Sequence, residues 1–280
     1  MKKISNILVG QLFLLVLWFG PGLVSETAAQ EQPTLQSIND INGFHDFFAA
    51  IKRSFHDGFD EFSGPKPEKL VDAWAVASEE AFNADRLVAA VEARMAGKLT
   101  DAELRELYGY FSSPLGLKVS ALEIANAKAG DTKAREVEGQ RIFKDLAAKD
   151  PERVALYNRM LEGLGAIDFA EVVTLNMTYG MVAGMFAAAE TPVTDEVMLA
   201  LVKQATADIR QTAEKIIQAD TAITYRDLPG EELEKHVEFL ETPAGTRYYE
   251  LSLQAVDQVL SKEARDFGSR LFAALGMRKA

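Results

Sequence analysis

The chain holds three histidines and no cysteine, so few side chains could act as base, nucleophile or soft metal ligand. His45 and His56 are each followed by an aspartate, Asp46 and Asp57. Their spacing is three helical turns, about 16 Å of rise, too far for both imidazoles to hold one ion. Both therefore read as helix-surface residues. His236 falls at an apolar position of a helical pattern, which suits a tolerated interface or edge residue better than a general base. No GxSxG, HExxH, phosphate loop or dinucleotide fingerprint occurs, and without cysteine the usual nucleophile–base pairs are hard to assemble. Carboxylates are plentiful, and a hydrolase using a pair of them is a distant third reading with no pair singled out. No metal, cofactor or catalytic residue is expected.

Two other patterns could bind something. "FSSPLGLK" (111–118) recurs 129 residues later as "LETPAGTR" (240–247). Each places Ser or Thr, Pro, Gly116 or Gly245, and then Lys118 or Arg247 at the start of a helix. Free N–H groups, the helix dipole and a cation are the ingredients of an anion site. Proline removes one donor and the hydroxyl cap occupies another, so a structural corner is the favoured reading. The second pattern is a stripe of Phe44, Phe48, Ile51, Phe55, Phe59 and Phe62 at helical spacing. Such a stripe builds a core. Its alternatives are a groove for an apolar ligand or partner helix, or a membrane-facing surface, which Asp46, Asp57, Asp60 and Glu61 oppose.

The elements that must carry these residues are helices. Apolar residues recur at three and four, few runs alternate, and prolines fall where helices begin. In "KLTDAELRELYGYF", Thr100 and Glu103 have capping-box spacing, and Leu104, Leu107, Tyr108 and Phe111 form one face. Ser113 then caps a second helix with Pro114 at its first position. Gly116 leaves room there for a neighbouring backbone. The 129-residue offset also places Leu99 on Leu228, Glu103 on Glu232 and Tyr110 on Phe239. The expectation is an all-α protein of two tandem related helical domains, each of four to five helices. The repeats would lie at 30–150 and 166–280, joined by 151–165. A duplicated unit with its own core would let 166–280 fold alone. "VVTLNMTYGMVAGMFAAA" (172–189) is uncharged, with Gly180 and Gly184 at close-packing spacing. It reads as a buried central helix rather than a membrane span.

The pattern LTxxEL, an aromatic pair and SPxGxK resembles the bacterial exported family catalogued as domain of unknown function 2059. The likeness is best over 85–122 and weaker over 213–252, where Thr242 and Arg247 replace Ser and Lys, and Pro229 and Gly230 replace the capping start. It implies a small helical domain in the Gram-negative periplasm, and no established reaction.

Composition bears on location and partners. A basic start, "MKKISN", an apolar run and the small residues "SETAA" read as a signal peptide over 1–29, cleaved before Gln30. The expected location is the periplasm. A net charge of −12 disfavours nucleic acid and anionic membranes as partners. The sequence thus points to a soluble binding or interaction module of the bacterial envelope, with a protein partner or self-association. The alternative is a carrier or sensor of an apolar small molecule, walled by the Phe stripe and the Met-rich helix.

Overall fold

The protein is all-α. The structure, a computed structural model, describes residues 32–60, 67–129, 132–188, 194–205 and 208–275. The expected signal peptide, Phe62 and the side chain of His56 lie outside the described residues. In chain order the helices are α1 (Leu35–Ile41), α2 (Phe44–Asp60), α3 (Glu68–Ala81), α4 (Ala84–Met95), α5 (Asp101–Phe111), α6 (Pro114–Lys128) and α7 (Thr132–Lys149). They continue with α8 (Pro151–Gly163), α9 (Ala166–Ala188), α10 (Asp195–Ala205), α11 (Ile209–Thr224), α12 (Gly230–Leu240) and α13 (Pro243–Ala274).

Local chemistry explains the boundaries. Thr100 accepts from the Glu103 N–H at 3.2 Å while the Thr100 N–H donates to the Glu103 carboxylate at 2.7 Å, closing the capping box of α5. Asn83 caps α4 and Asp150 caps α8 through their side-chain oxygens. Between α1 and α2 the chain turns at Gly43, whose φ of 74° is the left-handed conformation that terminates helices cheaply only with glycine.

The 129-residue offset is visible in these boundaries. α4 ends at 95 and α11 at 224, α5 spans 101–111 and α12 spans 230–240, and α6 and α13 begin at 114 and 243. The halves differ in continuity. α1 and α2 together occupy the place of the unbroken α9, and α6 and α7 that of the unbroken α13.

α9 and α13 pack along each other through glycine. A Cβ at Gly184 would lie 2.0 Å from the Arg265 carbonyl oxygen, and one at Gly268 would lie 2.0 Å from that of Met181. Only a residue without a side chain permits this backbone approach. α9 is the central helix the sequence predicts, with Val173, Met177 and Met181 buried. Among the described residues no helix is long and apolar enough to cross a membrane.

One core serves both halves. Phe55 of α2 lies 4.2 Å from Phe82 and 5.6 Å from Phe267 of α13, ring centre to ring centre. Trp74 of α3 stacks on Phe59 at 4.9 Å, meets Phe267 edge-on at 4.8 Å, and donates its ring N–H to the Phe55 carbonyl at 3.0 Å. The buried Tyr248 of α13 donates to Asn39 and accepts from Asn42, at 2.9 and 2.7 Å, so its hydroxyl is satisfied by α1. Arg86 of α4 pairs with the buried Glu263 of α13 at 2.8 Å and also bonds the Glu80 and Ala81 carbonyls that end α3. Each buried aromatic contributes about 1.5–3 kcal/mol, and here its partners come from both halves.

That sharing changes what 166–280 alone should do. Cut away from 30–165, the fragment exposes Phe267, and Tyr248 and Glu263 lose the partners that Asn39, Asn42 and Arg86 supply. It should lack a cooperative thermal transition by circular dichroism, whereas 30–280 shows one. A fragment melting cooperatively near the parent temperature would mean that each half holds its own core.

Candidate functional site

The two repeated corners face each other. Tyr110, next to the end of α5, stacks on Phe239 of α12 with ring centres 3.5 Å apart and planes 5° from parallel. These residues occupy the same position in the two copies. Lys118 of α6 pairs with Glu232 of α12 at 2.5 Å. The equivalent exchange brings Arg247 of α13 towards Glu103 of α5. The Glu103 carboxylate is held below its usual range by bonds from the Thr100 N–H and hydroxyl, and more weakly by the Arg247 charge. The two copies thus offer equivalent charges to each other, and Lys118 with Glu232 closes the ion pair.

Each corner is closed by its glycine. A Cβ at Gly116 would sit 2.1 Å from the Tyr110 carbonyl oxygen, and one at Gly245 would sit 2.3 Å from that of Phe239. The Gly116 and Gly245 N–H groups donate to the Ser113 and Thr242 hydroxyls, both at 3.0 Å. Anion-site ingredients are therefore engaged elsewhere, with cap donors on hydroxyls and Lys118 on a carboxylate. The geometry favours the structural corner.

The Phe stripe also lies inside. Phe44, Phe48, Phe55 and Phe59 are buried, and the Phe44 and Phe48 rings meet edge-on at 5.4 Å. Their faces are filled by other side chains, so they supply core rather than the wall of an apolar groove. His45 sits at the surface, 2.8 Å from Asp85. No group of acidic and histidine side chains among the described residues could hold a metal ion. A cleft of 440 Å³ opens between α9 and α13, lined by residues including Asn176, Tyr179, Asp257 and Arg265. It is wide-mouthed, and Asn176 already donates to both oxygens of Asp257 at 2.9 and 3.1 Å. Such a shape cannot enclose the large share of a small ligand's surface that tight binding requires.

Sequence reasoning singles out His236 but misses its partner and the other polar groups around the paired corners. His236, in the place of Leu107, is 3 % exposed, and its Nδ1 lies 2.6 Å from the Tyr110 hydroxyl. Burial alone pushes its imidazole down to about 3, so it is neutral. Glu123 is buried and accepts from the Tyr225 hydroxyl. Arg153 of α8 gathers the Tyr225 and Leu228 carbonyls at the end of α11. Only the mutual alignment of Tyr110 with Phe239 and of Leu107 with His236 could have signalled this junction.

A different feature is open to solvent. Val71 and Val76 of α3, and Val197 and Leu199 of α10, are 41–57 % exposed. α3 and α10 hold corresponding places in the two copies. A scan against protein-family models finds no match, and searches of curated proteins and of solved structures find none.

If the corners are structural, Gly116→Ala and Gly245→Ala should each cost roughly 1–3 kcal/mol by overpacking. Lys118→Ala, which breaks a half-exposed pair, should cost about 0–1 kcal/mol. Urea denaturation ranks them, and the reverse order would make the lysine the reason for the motif.

His236 gives a pH test. Its folded value lies below the usual 6.5, so its stability contribution is present above pH 6.5 and is lost as pH falls towards 3. His236→Leu, the residue the first copy carries, should cost about 1–3 kcal/mol at pH 7 by leaving the Tyr110 hydroxyl unpaired. The deficit should shrink by up to about 1.4 kcal/mol per pH unit below 6.5. A deficit constant from pH 7 to pH 5 would show that the imidazole is hydrated in the native state.

Proposed function

We propose that the protein is a binding module of the bacterial envelope, exported by its N-terminal signal and engaging a protein partner through the outer faces of α3 and α10. The observation that carries this reading is the exposure of Val71, Val76, Val197 and Leu199. The core has taken the aromatic stripe, yet large aliphatics stay in water on corresponding helices of both copies. Covering such aliphatics with a partner removes apolar surface from water, which favours association. The charge suits a partner helix with an apolar stripe flanked by Lys or Arg. The chain carries −12 overall, and α3 adds Glu68 and Asp72, both exposed, beside its valines. The corner motif's likeness to an exported helical family agrees with a place in the periplasm. The apolar-carrier reading loses its walls, because Phe44, Phe48, Phe55 and Phe59 are packed against other residues.

The test places a photo-crosslinking amino acid at Val76, at Leu199 and, as a control, at the exposed Glu152, with irradiation in the producing bacterium. The expected result is one discrete protein adduct shared by the first two positions and absent from the third. Adducts no different from the control, together with a lipid retained in native mass spectra of the purified protein, would replace this reading with the carrier.

A further inference from the structure

α7 differs from the element it corresponds to. At the 129-residue offset its counterpart is the C-terminal stretch of α13, where Glu263, Ala264, Phe267 and Leu271 are buried. On α7 the apolar Ile142, Phe143 and Leu146 are only half-buried, and Val137 is 64 % exposed. The helix lies across α11, in the other half of the chain. It approaches closely at Gly139, where a Cβ would be 2.3 Å from the Ala219 carbonyl oxygen.

At the root of α7 three helices turn polar atoms inward. Asn126 comes from the end of α6, Arg135 from the start of α7, and Asp220 stands beside Ala219 on α11. Asn126 Nδ2 donates to Asp220 Oδ1 at 2.7 Å. The remaining atoms, Asn126 Oδ1, Arg135 Nη2 and Asp220 Oδ2, are enclosed and have no hydrogen-bond partner. Stranded polar atoms are costly, and opening the junction to water satisfies all of them. α7 thus joins few apolar anchors to a latch that gains hydration when it opens, the features of a segment that unfolds or detaches before the rest.

We propose that α7 is a strap, latched by Asn126, Arg135 and Asp220, that lifts from α11 while the remainder of the fold stays intact, and that ionisation of Asp220 sets how often it lifts. Among the described residues, the helices packed against α11 carry these polar and charged groups, of which Asn126 and Arg135 act on the Asp220 carboxyl. α7 presents the Arg135 charge, and α6 presents Asn126 and, one turn earlier, Glu123, whose carboxylate accepts from Tyr225. α8 presents Arg153, which is held on the carbonyls at the end of α11. α9 presents Asp168 and Glu171, which hold Arg210 at the far end of α11. Burial raises the Asp220 carboxyl from 3.8 to about 6, with the Asn126 bond and the Arg135 charge opposing that shift. In the lifted state the carboxyl is hydrated and returns to its ordinary range. A raised value in the closed state favours closure at acid pH, and that advantage is lost as pH rises through 6. Between pH 5 and pH 8 these values make the opening constant grow about tenfold.

Hydrogen–deuterium exchange of the 30–280 protein, followed by mass spectrometry at pH 5 and pH 8 and corrected for intrinsic amide rates, tests the strap. Peptides of α7 should lose about tenfold in protection between the two values, while the middle of α13 stays protected at both. In Asp220→Asn the α7 protection should become independent of pH. Gly139→Ala, which pushes the strap off the Ala219 carbonyl, should speed α7 exchange at both pH values and leave the tenfold ratio in place. α7 protected as strongly as α13 at both values would overturn the proposal. So would a pH ratio that survives in Asp220→Asn.

Discussion

Two glycines let backbone meet backbone, and the arrangement of the chain depends on them. At Gly116 and Gly245 a helix begins so close to the carbonyls of the helix before it that no Cβ fits. Each corner is thereby fixed in angle, and fixed corners can be set against each other. The Tyr110–Phe239 stack and the Lys118–Glu232 pair follow, with Arg247 beside Glu103. A corner left open by a side chain would displace both partners of every reciprocal contact. The motif is thus written twice because each copy must meet the other.

What the halves build together is asymmetric. The second copy runs α9 and α13 without interruption and locks them through Gly180, Gly184 and Gly268. The first breaks both elements, folds α1 back under Tyr248 and sends α7 across to α11. Several buried polar groups lie at the junction between the halves, among them His236, Glu123, Asn126 and Glu263. Burying such groups costs free energy unless each finds a partner. The pairing of Arg86 with Glu263 and of Tyr225 with Glu123 makes the junction specific as well as stable.

Much of the local structure is legible in the sequence. Capping residues and prolines mark α5, α6, α8 and α13, and three-four periodicity gives the all-α class. Gly116 reads as a point of close approach, and α9 as a buried helix. The Phe stripe is legible as apolar, but the sequence does not say whether its faces are filled or left open, because Trp74, Phe82 and Phe267, which fill them, are distant along the chain. The shared core is not legible, because an internal repeat predicts two similar units and is silent on how they exchange elements. The latch at Asp220 is hidden for the same reason: Asn126, Arg135 and Asp220 converge only through the crossing of α7. His236 looks like a tolerated substitution, and its bond to Tyr110 depends on the facing of the corners.

The central claim is that the two halves form one cooperative unit. Equilibrium urea unfolding of the 30–280 protein, followed at once by Trp74 fluorescence and far-ultraviolet circular dichroism, tests it most directly. Trp74, the one tryptophan among the described residues, reports on the aromatic cluster, and dichroism reports on all helices. The account predicts coincident single transitions with one midpoint. A fluorescence transition complete while a large share of the helix remains, followed by a second dichroism transition, would show two independent domains and contradict it.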